Sequence, residues 1–191
     1  MKNLKPLMML VLSFFLLLSV LRNVADAGWE QQYPITASAN AIWGSSGSDV
    51  FAVGPEGSVL HYSGSNWSPM EKLTDNSLSG VWGSSANDVF AVGANGTILH
   101  YNGSNWKLMT SGTTNELCGV WGSSASDVFA VGGVNGQIIL HYDGSSWSSM
   151  VSVSGTPGEM LCGVWGSSGN ESLRLDTMAP SSILTAAVGV L

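Results

Sequence analysis

Charge is what this sequence has least of. Charged residues make up 10% of its 191 positions, and six of them are Lys or Arg. A chain with so few cations repels phosphate backbones, which excludes nucleic-acid binding, and it has little attraction for an anionic membrane surface. Cysteine is equally scarce. Cys118 and Cys162 are the two in the chain, too few for a disulfide scaffold. Apolar runs are short after the first one, and none of the later ones reaches the roughly 20 residues that a transmembrane helix needs. The low charge and the 24 glycines could point to disorder, but eight Trp and many Val, Leu and Ile supply enough apolar surface to offset the chain entropy of folding.

The first apolar run has a different meaning. Lys2 and Lys5 form a positive start, Leu7 to Leu21 is apolar apart from Ser13 and Ser19, and Ala25-Asp26-Ala27 is a small-x-small cleavage pattern. These three parts in this order predict a secretory signal peptide over residues 1–27. The run is short for a membrane anchor, and no cysteine lies near the cut to carry a lipid. The mature chain from Gly28 keeps Lys72, Lys107 and Arg174 as its fixed cations and has a formal charge of about −9. The expected location is therefore secreted, periplasmic or on the cell surface, with no membrane attachment after cleavage.

The strongest signal is an internal repeat. Trp43-Gly44-Ser45-Ser46 followed by Asp49-Val50-Phe51-Ala52-Val53-Gly54 returns at Trp82 to Gly93 and at Trp121 to Gly132. Leu60-His61-Tyr62 leading to Trp67 returns at Leu99 to Trp106 and at Leu140 to Trp147. Trp43, Trp82 and Trp121 are 39 residues apart, and Trp165 follows after 44. Extra residues around 133–134 and 151–158 account for the longer step. Each unit holds four apolar segments divided by turn residues. In the second unit the spacing predicts strands at Leu78–Gly83, Asp88–Gly93, Thr97–Tyr101 and Trp106–Met109. Asn95-Gly96 between two β-prone runs is a hairpin signal. The many glycines and β-branched residues exclude helical repeats of similar period. Four strands in about 40 residues is the unit of a propeller blade. Val89-Phe90-Ala91-Val92 is apolar on both faces, as a strand packed between two blades must be.

The expected fold is therefore all-β: a β-propeller with four-stranded antiparallel blades, three full repeats and partial terminal units. Trp29 precedes Trp43 by 14 residues, close to the step from a unit's closing Trp to the next unit's first, so Gly28–Ile35 reads as the last strand of a blade. Leu161–Ser168 opens a fourth unit, residues 169–191 form a divergent partial repeat, and Ile183–Val190 loosely matches a second strand. The two ends could join in a four-unit ring. An open arc is the favoured form, and its exposed ends would promote self-association.

The Trp-Gly-Ser-Ser, Asp-Val-Phe-Ala-Val-Gly, Leu-His-Tyr and Gly-Ser-x-Trp segments resemble the repeats of secreted bacterial β-propeller proteins. They are broadly similar to kelch, sialidase-type and WD-type propellers. The resemblance covers about residues 29–168 and implies architecture rather than activity, because propellers carry many functions.

Repetition also weighs against catalysis. His61, His100 and His141 could be metal ligands, but successive blades hold equivalent residues too far apart, so a structural role is expected. Asp49, Asp88 and Asp127 could be hydrolytic carboxylates, but equivalent positions provide equal environments, whereas acid and base need different ones. Each is expected to accept backbone N–H bonds from its own turn. Ser45, Ser84 and Ser123 lack a nucleophile elbow. Asn66, Asn95, Asn102 and Asn170 lie in glycosylation sequons. Cys118 and Cys162 occupy equivalent first-strand positions, which commonly exceed the roughly 7 Å Cα separation a bridge allows, so they are expected as free thiols.

The expected function is a non-catalytic binding or scaffold module for a carbohydrate or a cell-surface protein, with no cofactor, no metal and no catalytic residue. The rivals are a propeller-type glycoside hydrolase or lyase, and a non-functional fragment of a larger propeller. Sialidase chemistry is excluded, since it needs an arginine cluster and Arg174 is the one arginine after residue 27. Terminal sequencing of exported protein should begin at Gly28. Exported protein that retains Met1–Ala27 would contradict the cleavage assignment.

Overall fold

The computed structural model describes residues 38–133, 137–153, 160–166 and 174–177, all within the unit Thr36–Leu191. The signal segment, the Gly28–Ile35 strand and Ile183–Val190 lie outside the described residues.

The first sheet contains β1 (Ala41–Ser46), β2 (Asp49–Val53), β3 (Val59–Tyr62) and β4 (Trp67–Pro69). The second contains β5 (Leu78–Ser85), β6 (Asp88–Gly93), β7 (Ile98–Tyr101) and β8 (Trp106–Met109). The third contains β9 (Leu117–Ser124), β10 (Asp127–Gly132), β11 (Gln137–Tyr142) and β12 (Trp147–Val153). All three are antiparallel meanders in chain order. Strands β13 (Leu161–Trp165) and β14 (Arg174–Thr177) pair as the start of a fourth. The first strands β1, β5, β9 and β13 pack side by side in succession. The fold is thus a β-propeller built of repeated four-stranded blades.

One expectation changes. Arg174–Thr177, inside the segment expected to diverge, is the strand that pairs with β13, with Val164 opposite Leu175 and Trp165 opposite Arg174. Its sequence carries no Asp-Val-Phe-Ala-Val-Gly signature, and backbone pairing requires none.

Local chemistry sets the turns. Asn95 and Gly96 take φ of +54° and +68°, and Thr97 N–H donates to Ala94 O at 3.1 Å. This is the tight turn with two left-handed residues that Asn-Gly favours. Glu56-Gly57 makes the same turn in the first blade, with φ of +53° and +68°. Glu56 has no side-chain bond that eases this conformation, unlike the asparagine equivalent. Asn102 Oδ1 closes the β7–β8 turn by accepting from the N–H groups of Ser104 and Asn105, each at 3.1 Å. Asp143 does the same for Ser145 and Ser146. The Ser146 N–H, the Ser145 hydroxyl and the Ser145 N–H together hold its carboxyl down to about 2.

The core lies between blades. Successive side chains of a strand point to opposite faces, and the second strand of each blade uses both. Val89 and Ala91 pack with Phe51, Val53 and Val59 of the first blade. Phe90 and Val92 pack with Leu117, Val128, Ala130 and Leu140 of the third. Phe129 and Val131 face Leu161 of the fourth. The aromatic contacts repeat with this register. Phe51 meets Tyr101 at 5.4 Å and Trp106 edge-on at 6.0 Å, and Phe90 meets Tyr142 and Trp147 at the same two distances. The Trp106 indole N–H donates to Met70 Sδ at 3.1 Å. Met109, the equivalent of Met70, packs in the cluster that holds Trp147, whose indole nitrogen is buried without a hydrogen-bond partner.

A second contact repeats on the first strands. Trp43 lies over Gly83 and Trp82 lies over Gly122: a Cβ added at these glycines would sit 2.7 and 2.6 Å from the Trp Cη2 atoms. Trp43 and Trp82 thus play one repeated packing role. Gly83→Ala should destabilise the protein by about 1–3 kcal/mol in chemical denaturation, the range for overpacking a filled site. Gly47→Ala is the control, since nothing lies within 4 Å of its Cβ position. Equal stability of the two variants would contradict tight packing of Trp43 on Gly83.

Candidate binding surface

The repeated polar residues form three separate clips. His61 Nε2 pairs with Asp49 Oδ1 at 2.6 Å, and His100 with Asp88 and His141 with Asp127 at 2.7 Å each. Every imidazole also stacks on the Phe opposite it on the second strand: His61 on Phe51 at 4.4 Å, His100 on Phe90 at 4.3 Å, His141 on Phe129 at 4.6 Å. The other carboxylate oxygen accepts from a serine hydroxyl of the preceding strand, at 2.5 Å from Ser45 to Asp49 and from Ser84 to Asp88, and likewise from Ser123 to Asp127.

This corrects the expected role of the aspartates. Their partners are side chains from two neighbouring strands, not backbone N–H groups of their own turn. A β-bulge within or beside each turn brings the serine close: the register shifts between Gly44 and Ser46, Gly83 and Ser85, and Asp127 and Val128. The order matters chemically. The carboxylate stands between serine and histidine, so the hydroxyl donates to Asp and not to an imidazole base. Each clip ties three strands together. No group of three or more His, Cys, Asp or Glu able to hold a metal occurs among the described residues.

The meander places the turns between first and second strands, and between third and fourth, at one end of each blade. The opposite end carries the β2–β3 and β6–β7 turns and the longer connections between blades. An open groove of about 780 Å³ lies on that second face. It is lined by Thr74 and Asn76 before β5, by Asn95 to Thr97, and by Leu108 with residues 109–115. Side-chain bonds fix it. Asn95 Nδ2 donates to Asn76 Oδ1 at 3.0 Å, Asn76 Nδ2 to Thr97 Oγ1 at 2.8 Å, and Thr97 Oγ1 to Ala94 O at 2.7 Å. Gly96 must be glycine twice over: its φ is +68°, and a Cβ there would lie 2.1 Å from Thr113 O.

The groove is lined by amides, hydroxyls, Met109 and Leu108, with no charged and no aromatic side chain among them. Leu108 is 61% exposed. The surface therefore offers hydrogen bonds and one apolar anchor to an uncharged ligand. Apart from Asn95, sequence reasoning does not single out these residues, because Thr, Ser and Asn in loops look like ordinary turn chemistry. Asn95 carries two signals in the sequence, the Asn-Gly turn and a glycosylation sequon, and neither identifies a groove.

The clips make a stability prediction. Asp88→Ala should cost about 1–3 kcal/mol, typical of hydrogen bonds to a charged group. Asp127→Ala should cost less, because its side chain is 40% exposed against 18% for Asp88. Urea titrations that rank the two in reverse would contradict the clip as a stabilising element.

No protein-family model matches the chain, and no curated protein sequence matches it. Solved structures do. YCF48 from Cyanidioschyzon merolae is similar at a TM-score of 0.58 and 15% identity, over 84% of this chain and 60% of that one. YCF48 bound to D1 peptide is similar at a TM-score of 0.56 and 15% identity, over 83% of this chain and 57% of that one. The chain thus spans about three fifths of the length of these structures. At this identity the likeness is one of fold, and the fold is that of a β-propeller with repeated blades.

Proposed function

We propose that this protein is an exported, non-catalytic propeller module that binds an uncharged, extended segment of a protein partner along the groove beside Leu108. The observation that carries the reading is the composition of that groove: a neutral wall of Asn, Thr and Ser around one exposed leucine. Amide and hydroxyl groups pair with a peptide backbone, and an apolar side chain on the peptide covers the leucine. A propeller of the same fold, YCF48 bound to D1 peptide, supports a peptide as the partner. Sugars are the less suitable ligand here, because no aromatic ring lines the groove for a sugar face to stack on. The absence of a charged lining also fits a chain with few cations. Export is the reading of the signal-like N-terminus.

A peptide array probed with purified protein tests the proposal. Neutral peptides with a central aliphatic residue should bind, and Leu108→Asp should weaken binding at least tenfold. The melting temperature should stay unchanged, since the side chain is exposed. Binding that survives Leu108→Asp, or a glycan array with hits beside a blank peptide array, would overturn the reading.

A further inference from the structure

Two cysteines and a methionine lie where the third blade joins the fourth. Cys118 on β9 and Cys162 on β13 hold the same position in their repeats, and their strands run side by side. The backbones approach closely there because the residue after Cys118 is glycine. A Cβ added at Gly119 would lie 2.7 Å from Cys162 O. Cys118 Sγ donates to Met160 Sδ, immediately before β13, at 2.9 Å. Burial, and after it the neighbouring Cys162 thiol, raise the ionisation of the Cys118 thiol above the ordinary cysteine range. Both cysteines are free and partly exposed. The two cysteines are unbridged, as expected, and they lie on strands that run side by side.

We propose that Cys118 and Cys162 form a closable pair, a redox-dependent covalent staple between the third blade and the fourth. The equivalent position of the second blade is Ser79 and that of the first is Asn40, so the device is confined to the junction with the incomplete unit. That is where it has most effect. The fourth unit shows two strands among the described residues, β13 and β14.

The co-reactant is a small-molecule disulfide. One protein thiol loses its proton and attacks the small disulfide, forming a mixed disulfide and expelling one small thiolate. The second protein thiolate attacks the protein sulfur of the mixed disulfide and expels the other. The protein loses two electrons and two protons, and the small disulfide becomes two thiols.

Reduced full-length protein incubated with oxidised glutathione provides the test. Both free thiols should disappear, intact mass should fall by two hydrogens, and unreduced digestion should yield the Cys118–Cys162 peptide pair. The product should stay monomeric on a non-reducing gel and melt about 5–10 °C higher, as expected when a long loop is closed. Cys118→Ser and Cys162→Ser should each stop at a single glutathione adduct. The wild-type mass decides even if a variant fails to fold. Stable adducts on both cysteines, disulfide-linked dimers, or two thiols that persist in the folded protein and bridge only in urea would each overturn the proposal.

Discussion

The structure depends on burying each second strand between two blades. Val89, Phe90, Ala91 and Val92 are fully buried, and no single sheet could do that to both of its faces. Val89 and Ala91 need the first blade, while Phe90 and Val92 need the third. Burial of one such side chain is worth roughly 1.5–3 kcal/mol. Most of that is lost when a neighbouring blade is absent, so the repeat is cooperative along the chain. Glycines set how close the blades come. Gly83 and Gly122 receive the tryptophan of the preceding blade, and Gly80 and Gly119 let adjacent first strands approach to backbone contact. The exposure of Ile42, at 64%, illustrates the dependence. Its equivalents Val81 and Val120 pack against the clusters beside them, whereas Ile42 begins the first described blade.

Polar chemistry is subordinate to this packing but fixes its register. A one-residue slip between strands reverses every side chain. It would separate His100 from Asp88 and turn Phe90 from the third blade toward the first. Serine, aspartate and histidine come from three successive strands, so the clip forms in one alignment. The stacked Phe–His pair joins the polar clip to the apolar core: Phe90 touches His100 within its blade and Tyr142 and Trp147 in the next. The clip and its Phe–His stack are present in all three blades, which marks them as features of the scaffold.

Function then falls to what is not shared. The face with the short Gly-Ser turns is nearly the same in each blade. The opposite face carries the connections between blades, where sequence varies: residues 70–77 and 110–116 differ while the strands around them repeat. The groove is lined by these two connections and the Asn95-Gly96 turn. A rigid repeated frame thus holds a locally distinct surface, and the set of Cys118, Met160 and Cys162 is a second departure from the repeat.

The sequence by itself determined the all-β class, the blade period and most strand limits. In the second unit, the strands expected at Asp88–Gly93 and Trp106–Met109 are those observed, because a period-2 apolar pattern bounded by Asn, Gly and Ser is local information. It also marked the histidines as structural. Tertiary structure decided what those residues touch. Aspartate beside a turn looks like a backbone acceptor, and only a bulge and a neighbouring strand supply serine and histidine partners instead. Arg174–Thr177 became a strand because β13 offered an unpaired edge, a demand its sequence does not display. Likewise, the distance between two cysteines separated by 44 positions in the chain is set by the approach of β9 and β13. The groove is a product of chain crossing: Thr74, Asn95, Leu108 and Thr113 belong to four different segments, and only blade packing brings them to one surface.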